Sequence, residues 1–369
     1  MNHLIYFTFG EQSGSVYATQ VKQLLNHWSR REDWKVTLIQ IADEENFTEL
    51  DPTVDRIYVK RKFKFLLPFQ KSDYNSQIRK LLNIDLSDKL YFTSRGSSAF
   101  LLASYFIDNQ KLNVKCNNLD VRGTIEEYKL SKSRRLLYPY IRYRLRKVLH
   151  KTTSVTTVTS NLKEHLQEDY DIKNPKLKIN VNPTLSILSY SHHENKKDIA
   201  FIGKIAWIKP EQFVEQIKKI NNLFSQQGWS ISLIGNSSGT FGLVEEGIKI
   251  VERMTPLELE EYIKRYHSGI VLRDASIINK VAAPCKISDY LCLGMPVIYS
   301  GEIGSLKDFI DKYPQCSKYI VHVNEINNID KVIDHINIKQ QELSELAQIA
   351  QGYFGVNAVI DRYISIFNS

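Results

Sequence analysis

Short runs of apolar and β-branched residues alternate with helical patterns along most of this chain, and that alternation restricts the fold more than any other feature. Helices of ten or more residues, such as 16–28 and 97–106, are predicted between most of the runs. Parallel strands need crossover connections of this length, so the pattern predicts parallel sheets covered by helices. The predicted strands are residues 4–9, 35–41, 90–93, 114–119, 154–159, 199–202, 230–234, 249–252, 269–272, 296–299 and 319–323.

The strand pattern is interrupted at residues 189–197 (SYSHHENKK), which are polar and show no periodicity. The same pattern occurs before and after this linker, and a chain of 369 residues is long enough for two domains of ordinary size. The sequence therefore predicts an α/β protein with two doubly wound, Rossmann-like domains. Such sheets bind ligands beyond the carboxyl ends of their strands, so we expect a site in the loops there and in the cleft between the domains. The predicted domains are 1–188 and 189–350, followed by residues 351–369.

Composition excludes several classes of protein. With 43% hydrophobic and 24% charged residues, the chain resembles folded soluble proteins, and no apolar run reaches the roughly eighteen residues of a membrane span. The N-terminal MNHLIYFTFG lacks a basic leader and a cleavage site, so we interpret it as a first strand and expect a cytoplasmic protein. The four cysteines show no CxxC spacing and no paired histidines, so neither a disulfide framework nor a metal site is predicted.

A basic segment runs from Lys132 to His150 (KSRRLLYPYIRYRLRKVLH) in a chain whose net charge is +8. Pro139 is expected to break or kink the helix there into two amphipathic pieces. Two interpretations remain open: a segment resting on an anionic membrane surface, or a surface helix whose apolar stripe packs on its own domain. Nucleic acid is not a predicted partner, because the basic residues cluster beside Leu and Tyr and no recognised nucleic-acid motif occurs.

Residues 282–300 (AAPCKISDYLCLGMPVIYS) combine a short helix with a buried strand. Pro284 suits the first helical turn, Gly294 supplies the usual stop, and Pro296 prevents continuation of the helix. The next residues, 297–299, are predicted to form the strand.

The start of that helix is a candidate anion site. A loop precedes it, so the backbone N–H groups of Cys285, Lys286 and Ile287 are expected to lack partners and to bind a phosphate. One turn further along, Asp289 can accept hydrogen bonds from the two vicinal hydroxyls of a ribose. Alternatively, Asp289 only stabilises the helix through its dipole, by about 0.3–1 kcal/mol.

Two loops that follow predicted strands carry charged side chains. In GKIAWIK, Lys204 and Lys209 would together neutralise a diphosphate leaving group, although two surface lysines are often simply solvated. In NLDVRG, Asp120 could orient an acceptor hydroxyl or take its proton, and Arg122 could pair with Asp120 or with a phosphate. A purely structural Asp–Arg pair is the alternative.

Taken in order, these segments resemble a retaining GT-B glycosyltransferase of glycosyltransferase family 4, the group that extends bacterial surface polysaccharides. That family opens its second domain with Gly-Arg-Leu-x-x-x-Lys-Gly, and later places a Glu five residues before the Gly of Gly-x-Pro-Val. The matching positions here are Gly203, Lys204, Ile205, Lys209, Asp289, Gly294, Pro296 and Val297, with Lys in place of the Arg and Pro210 in place of the last Gly. Two weaker likenesses, to an Asp-x-Arg-Gly of one subset and to the glycine-rich first loop, involve Asp120, Arg122, Gly123, Gly14 and Ser15.

The resemblance implies two Rossmann-like domains that face a cleft, with a C-terminal helix, 351–369, packed back on the N-terminal domain. It implies a metal-independent enzyme without a cofactor. This enzyme would transfer a hexose from a nucleotide-sugar to a glycan or lipid-linked oligosaccharide acceptor, with retention of configuration at the anomeric carbon. UDP is favoured as the nucleotide and GDP is possible. Val281 stands where the family has its first Glu, so backbone amides from Ala282 to Lys286 are expected to contact the transferred sugar.

The resemblance also implies roles for individual residues. The predicted catalytic residues are Lys204, Lys209, Asp120 and Arg122. The predicted donor-binding residues are Gly14, Ser15, Gly203, Gly235, Glu252, Arg253, Met254, Ala283, Pro284, Cys285, Lys286, Ile287 and Asp289, of which those at 252–254 are expected near the base. Two alternatives remain: a non-catalytic, membrane-associated scaffold with a GT-B fold, and a nucleotide-sugar epimerase.

Overall fold

Two parallel sheets organise the part of the chain that the structure describes. The computed structural model describes residues 1–10, 17–63, 70–130, 135–173, 177–190, 197–203, 205, 208–235, 242–254 and 256–369. The chain divides into two compact units, which we name unit 1 (Met1–Leu185 with Val359–Ser369) and unit 2 (Ser186–Ala358). Each unit contains one of the sheets and helices that cover it.

Unit 1 contains a seven-stranded sheet in the order β3-β2-β1-β4-β5-β6-β7, with every neighbouring pair parallel. Its strands are β1 (Asn2–Phe9), β2 (Trp34–Ala42), β3 (Asp55–Lys60), β4 (Lys89–Arg95), β5 (Val114–Val121), β6 (Ser154–Thr157) and β7 (Lys178–Val181). Its helices are α1 (Gln23–Ser29), which follows a π-helical turn at Ala18–Lys22, α2 (Gln70–Leu81), α3 (Gly96–Gln110), α4 (Tyr138–Leu149) and α5 (Ser160–Tyr170). A 3₁₀ turn covers Ile125–Leu130. The inner strands β1 and β2 are buried almost throughout, as expected for parallel strands covered on both faces.

Unit 2 contains a six-stranded parallel sheet in the order β10-β9-β8-β11-β12-β13. Its strands are β8 (Asp198–Ile202), β9 (Ser230–Ile234), β10 (Lys249–Val251), β11 (Ser268–Val271), β12 (Val297–Tyr299) and β13 (Ile320–His322). Its helices are α6 (Pro210–Ser225), α7 (Pro256–Ile263), α8 (Ile277–Lys280), α9 (Cys285–Cys292), α10 (Gly304–Lys312), α11 (Ile329–Ile336) and α12 (Gln340–Phe354), with a 3₁₀ turn at Pro314–Tyr319. The last helix, α13 (Val356–Asn368), begins in unit 2, and its residues from Val359 onward belong to unit 1. Helix α6 buries Phe213, Ile217, Ile220 and Phe224 on one face, the spacing of an amphipathic helix.

The predicted fold class, two doubly wound parallel sheets, is confirmed. In each sheet the strand order reverses once, between β1 and β4 in unit 1 and between β8 and β11 in unit 2. The sequence pattern missed β3 and β7. Strand β3 (DRIYVK) buries only two of its side chains, and β7 (KINV) is four residues long with one buried side chain, so neither shows a continuous apolar run.

The C-terminal segment forms two helices, α12 and α13, although the family resemblance implied a single closing helix at 351–369. The N–H of Ser186 donates to the Phe354 carbonyl (2.7 Å), and the N–H of Val356 donates to the Ser186 carbonyl (3.0 Å), so strand-like bonds interrupt the helix at Gly355. The last eleven residues belong to unit 1. There Phe367 packs its ring 5.4 Å from that of Tyr91, centroid to centroid, which anchors α13 on the sheet.

In the described part of the basic segment, residues 135–150, Arg135 is helical and a turn at 136–137 separates it from helix α4. Pro139 lies in the first turn of α4, where its missing N–H costs nothing, so the helix is interrupted just before this residue; residues 132–134 of the expected first piece lie outside the described part of the chain. The apolar stripe of α4 buries Ile141, Leu145 and Val148 within unit 1. No helix among the described residues is long and apolar enough to span a membrane.

Candidate functional site

The carboxyl ends of three neighbouring strands of unit 2 meet at two glycines. The N–H of Gly203, which follows β8, donates to the Ile234 carbonyl (2.8 Å), and the N–H of Gly235 donates to the Val251 carbonyl (2.9 Å). A Cβ built on Gly235 would lie 3.9 Å from Arg253 Cα and 4.0 Å from Gly203 Cα. The predicted donor-binding residues at 203, 235 and 253 therefore lie together, on the edge where doubly wound sheets bind ligands.

The side chain of Lys286 lies over the turn that leaves β8. Gly203 has a φ of +88°, and a Cβ at this position would lie 3.0 Å from Lys286 Nζ. This position favours glycine because of its left-handed backbone, and a Cβ there would also displace the end of the lysine side chain. The ammonium group also lies 4.8 Å from the centroid of the Phe201 ring, within cation–π range. Lys286 therefore lies at the end of β8, one of the two strands between which the strand order reverses.

Tyr290, one turn after Lys286, fixes α9 on the sheet. Its hydroxyl donates to the Ala200 carbonyl (3.3 Å) and accepts the N–H of Ile202 (3.2 Å), both on β8. Its ring packs so closely on Gly269 of β11 that a Cβ there would lie 2.3 Å from Tyr290 Cδ2. Side chains four residues apart share a helix face, so the contact of Tyr290 with β8 places Lys286 at the end of the same strand.

The surroundings of Lys286 oppose its positive charge. Burial lowers the pKa of Lys286 to about 8, and the charge of Arg273, which follows β11, acts in the same direction, while Cys285 and Asp289 oppose the shift. Arg273 is itself held in place, because its Nη1 donates to Asn279 Oδ1 (2.7 Å). A lysine with a strongly lowered pKa beside a second cation is typical of functional sites that bind anions.

Asp289 is the half-buried carboxylate of the same helix. Burial raises its pKa to about 7, whereas a hydrogen bond with Ser186 and the charge of Lys286 act in the opposite direction. The Ser186 hydrogen bond and the Lys286 charge therefore do not offset the cost of burying the charged carboxylate. Hydroxyl groups of a ligand would supply further hydrogen-bond donors.

The start of α9 differs in detail from the expectation. The helix begins at Cys285, and Pro284 occupies the position before it, without a side-chain cap. The N–H of Ile287 donates to the Pro284 carbonyl (3.1 Å), so the expectation that this group lacks a partner is wrong. Ala283 and Pro284 are half-buried beside the helix start.

Other predicted residues are spread over the edge of unit 2. Lys209 is exposed immediately before α6, Glu252 and Arg253 are exposed after β10, and Met254 is half-buried. Three predicted residues lie outside the described part of the chain: Gly14, Ser15 and Lys204.

Asp120 and Arg122 belong to unit 1, where both side chains have structural partners. Asp120 is buried at the end of β5 and accepts hydrogen bonds from Arg122 Nε (2.8 Å), Thr156 Oγ1 (3.1 Å) and the Tyr6 hydroxyl (3.4 Å). Arg122 Nη2 donates to the hydroxyl of Tyr363 on α13 (2.7 Å). This network ties the C-terminal helix to the carboxyl edge of β5.

These contacts match the alternative interpretation of the pair. Burial opposes the charge of Arg122, but the neighbouring Asp120 carboxylate keeps the pKa of Arg122 above its usual value. Removing one partner of a buried ion pair typically costs about 3–5 kcal/mol. A structural role therefore accounts for both charges, and the catalytic roles of Asp120 and Arg122 stay predictions.

Sequence reasoning missed Arg273 and the side chain of Lys286, which it treated only as a backbone donor. Two signals pointed to them. A lysine in the first turn of a helix opposes the helix dipole, and an arginine directly after a predicted strand lies where ligands bind. No group of three or more His, Cys, Asp or Glu side chains is placed to hold a metal ion in the ranges described above.

The two Rossmann-like units define a GT-B fold, and solved structures share it over the whole chain. A glycosyltransferase from Rickettsia africae ESF-5 is similar with a TM-score of 0.69 and 12% identity, over 100% of this chain and 98% of that one. Sucrose-phosphate synthase from Thermosynechococcus elongatus is similar with a TM-score of 0.68 and 11% identity, over 100% of this chain and 98% of that one. An α,α-trehalose-phosphate synthase (UDP-forming) from Burkholderia vietnamiensis is similar with a TM-score of 0.64 and 10% identity, over 100% of this chain and 97% of that one. At such identities the likeness shows the fold. No family model and no curated protein matches the chain.

Proposed function

We propose that this chain is a family 4 type glycosyltransferase that moves a hexose from a nucleotide-sugar to a glycan or lipid-linked oligosaccharide in bacterial polysaccharide biosynthesis. One observation carries the proposal: Lys286 and Asp289 lie on one short helix at the ligand-binding edge of the unit 2 sheet. A cation there suits the diphosphate of a donor, and a carboxylate one turn away suits the vicinal hydroxyls of its ribose. The fold shared with glycosyltransferases supports this assignment.

Transfer breaks the bond between the anomeric carbon and the diphosphate, so negative charge develops on the leaving group. Cations near the end of β8 stabilise that charge more strongly in the transition state than in the ground state. Lys286 and Arg273 are the described side chains placed to do so, and Lys204 and Lys209 are proposed as further contacts. We expect retention at the anomeric carbon, and a transfer rate that EDTA leaves unchanged.

The donor nucleotide is proposed to be UDP. A UDP-forming trehalose-phosphate synthase among the similar structures supports this choice. Glu252, Arg253 and Met254, which follow β10 beside Gly235, are proposed to lie against the base. Gly14 and Ser15 are proposed as further donor-binding residues.

An acceptor carried on a lipid would bring the enzyme to a membrane surface, and we propose α4 as the contact. Although the apolar stripe of α4 is buried, Leu136 just before the helix is 85% exposed and Tyr143 on the helix is 62% exposed. The exposed Arg142 and Arg146 lie on the same helix. Exposed Leu and Tyr side chains among arginines suit an anionic interface.

The proposed function is tested by measuring nucleoside diphosphate released from UDP-hexoses with and without glycan acceptors. We expect acceptor-dependent release, and a product whose anomeric configuration, determined by NMR, is that of the donor. Asp289→Ala should lower kcat/KM by about tenfold to 100-fold, because charge-assisted hydrogen bonds to the ribose are lost. Asp311→Ala, at an exposed position of α10, is the matched control and should leave the rate unchanged.

Two outcomes would contradict the proposal. Isomerisation of the donor without any acceptor would identify an epimerase. A protein that neither turns over nor binds any nucleotide-sugar would be the non-catalytic scaffold instead.

A further inference from the structure

Lys286 is placed differently from the surface lysines of unit 2. Lys218 on α6, for example, lies 2.8 Å from the carboxylate of Glu246 in an exposed ion pair. Lys286 is half-buried instead, with its ammonium against the Gly203 turn and the Phe201 ring. The contacts described for this side chain therefore leave its charge without the close carboxylate partner that Lys218 has.

Three features of the site disfavour the charged form of Lys286 in the absence of a bound anion. Burial removes water from it, Arg273 repels it, and it lies in the first turn of α9, where the helix dipole is positive. The same features become favourable once an anion is bound, because the anion interacts with both cations and with the dipole. The arrangement is thus preorganised for a negatively charged ligand rather than for the stability of the free protein.

We propose that the Lys286 side chain, assisted by Arg273, binds the diphosphate of the donor and takes up a proton as the donor binds. This inference rests on the function proposed above. The diphosphate is favoured over a carboxylate on the sugar because Lys286 lies over the turn after β8, the first strand of unit 2. In Rossmann-like sheets, the glycine turn after the first strand is where a pyrophosphate approaches the backbone.

The sign of the proton exchange follows from the groups around Lys286. Among the residues that the structure describes, the charged and titratable groups placed against it are Arg273 after β11, and Cys285 and Asp289 on α9. With a pKa of about 8, roughly half of the free protein molecules lack the Lys286 proton at pH 8, and a bound dianion restores it. At this pH Asp289 and the terminal phosphate, whose pKa is about 6, are already mostly ionised. Binding should therefore take up about half a proton near pH 8, whereas near pH 6.5 Lys286 is already charged and takes up almost none.

The test is isothermal titration of the full chain with UDP, in two buffers of different ionisation enthalpy, at each pH. The wild-type protein should show the proton uptake just described. Lys286→Met should abolish it and weaken UDP binding about tenfold or more, while leaving the affinity for uridine unchanged. Lys286→Arg, which keeps its charge at any pH used, should retain more affinity for UDP than Lys286→Met but take up no proton. Lys218→Met is the matched control, and should behave as the wild type does.

The outcomes separate this inference from the proposed function. If the wild type binds UDP and Lys286→Met binds it equally well, the inference is wrong and the proposed function stands. If Lys286→Met weakens only UDP-glucuronate, the lysine binds a sugar carboxylate and the diphosphate assignment is wrong. If the wild type binds no nucleoside diphosphate, both proposals fail.

Discussion

Asp289 and Lys286 lie three residues apart, yet the sequence predicted a role for the Asp289 side chain and only for the backbone N–H of Lys286. The helix signals around Asp289, a proline before it and a glycine after it, placed its carboxylate on a short helix that follows a loop. The partners of these side chains lie far away in the sequence: Ser186 is about a hundred residues from Asp289, and Gly203 lies against Lys286. Local patterns give no information on such contacts, so the perturbed charges became visible only in the folded chain.

Asp289 makes the stability of the protein depend on pH. Its pKa in the folded chain is about 7, above its usual value of 3.8, so its favourable contribution is complete below about pH 4 and is lost as the pH rises to about 7. Asp289→Asn removes this loss. The difference in unfolding free energy between this variant and wild type should therefore shift in favour of the variant by about 1–3 kcal/mol from pH 5 to pH 8. This range allows for solvent screening of the partly exposed carboxylate.

Urea unfolding at the two pH values measures this difference. Asp311→Asn, at an exposed position, should show no such change with pH. An Asp289→Asn variant that is destabilised equally at both pH values would show that Asp289 is ionised without penalty in the folded protein.

At the scale of elements, α9 takes its position from β8 and β11 rather than from its own sequence. The predicted limits of this helix were close to the observed ones, because Gly294 follows its end with a φ of +78°. Its attachment was not predictable from spacing, because Tyr290 bonds Ala200 and Ile202, about ninety residues away. Strands with continuous apolar runs were predicted well, whereas the polar β3 was missed because only its position beside β2 makes it a strand.

Gly269→Ala tests the attachment of α9. The new Cβ would lie 2.3 Å from Tyr290 Cδ2, so the ring and the helix must move away from the sheet. Overpacking of this kind should cost about 1–3 kcal/mol of unfolding free energy in urea. The displacement should also weaken UDP binding, because Lys286 lies one turn before Tyr290.

Gly352→Ala is the matched substitution for this experiment. A Cβ at Gly352 meets nothing within 4 Å, and the residue lies within α12, so this variant should be as stable as wild type or up to about 1 kcal/mol more stable. If Gly269→Ala were equally harmless, the close contact between α9 and β11 would be disproved.

At the scale of the whole molecule, the repeated strand and helix pattern was sufficient to predict two doubly wound units. The pattern did not predict that the chain interrupts its last helix at Gly355, because the bonds responsible come from Ser186, far away in the sequence. It left open whether Asp120 and Arg122 form a structural pair or a catalytic one, since both contact residues of other elements, including Tyr363 on α13. The fold and the candidate donor site in unit 2 together lead to the proposal of sugar transfer.

The most direct test of the donor site is a thermal-shift panel of nucleoside diphosphates and their sugars on the full chain. The account predicts that UDP and a UDP-hexose raise the melting temperature by several degrees at about 100 times their Kd, and that Asp289→Ala removes most of that shift. A flat response to UDP, GDP, ADP and all their sugars would contradict the account.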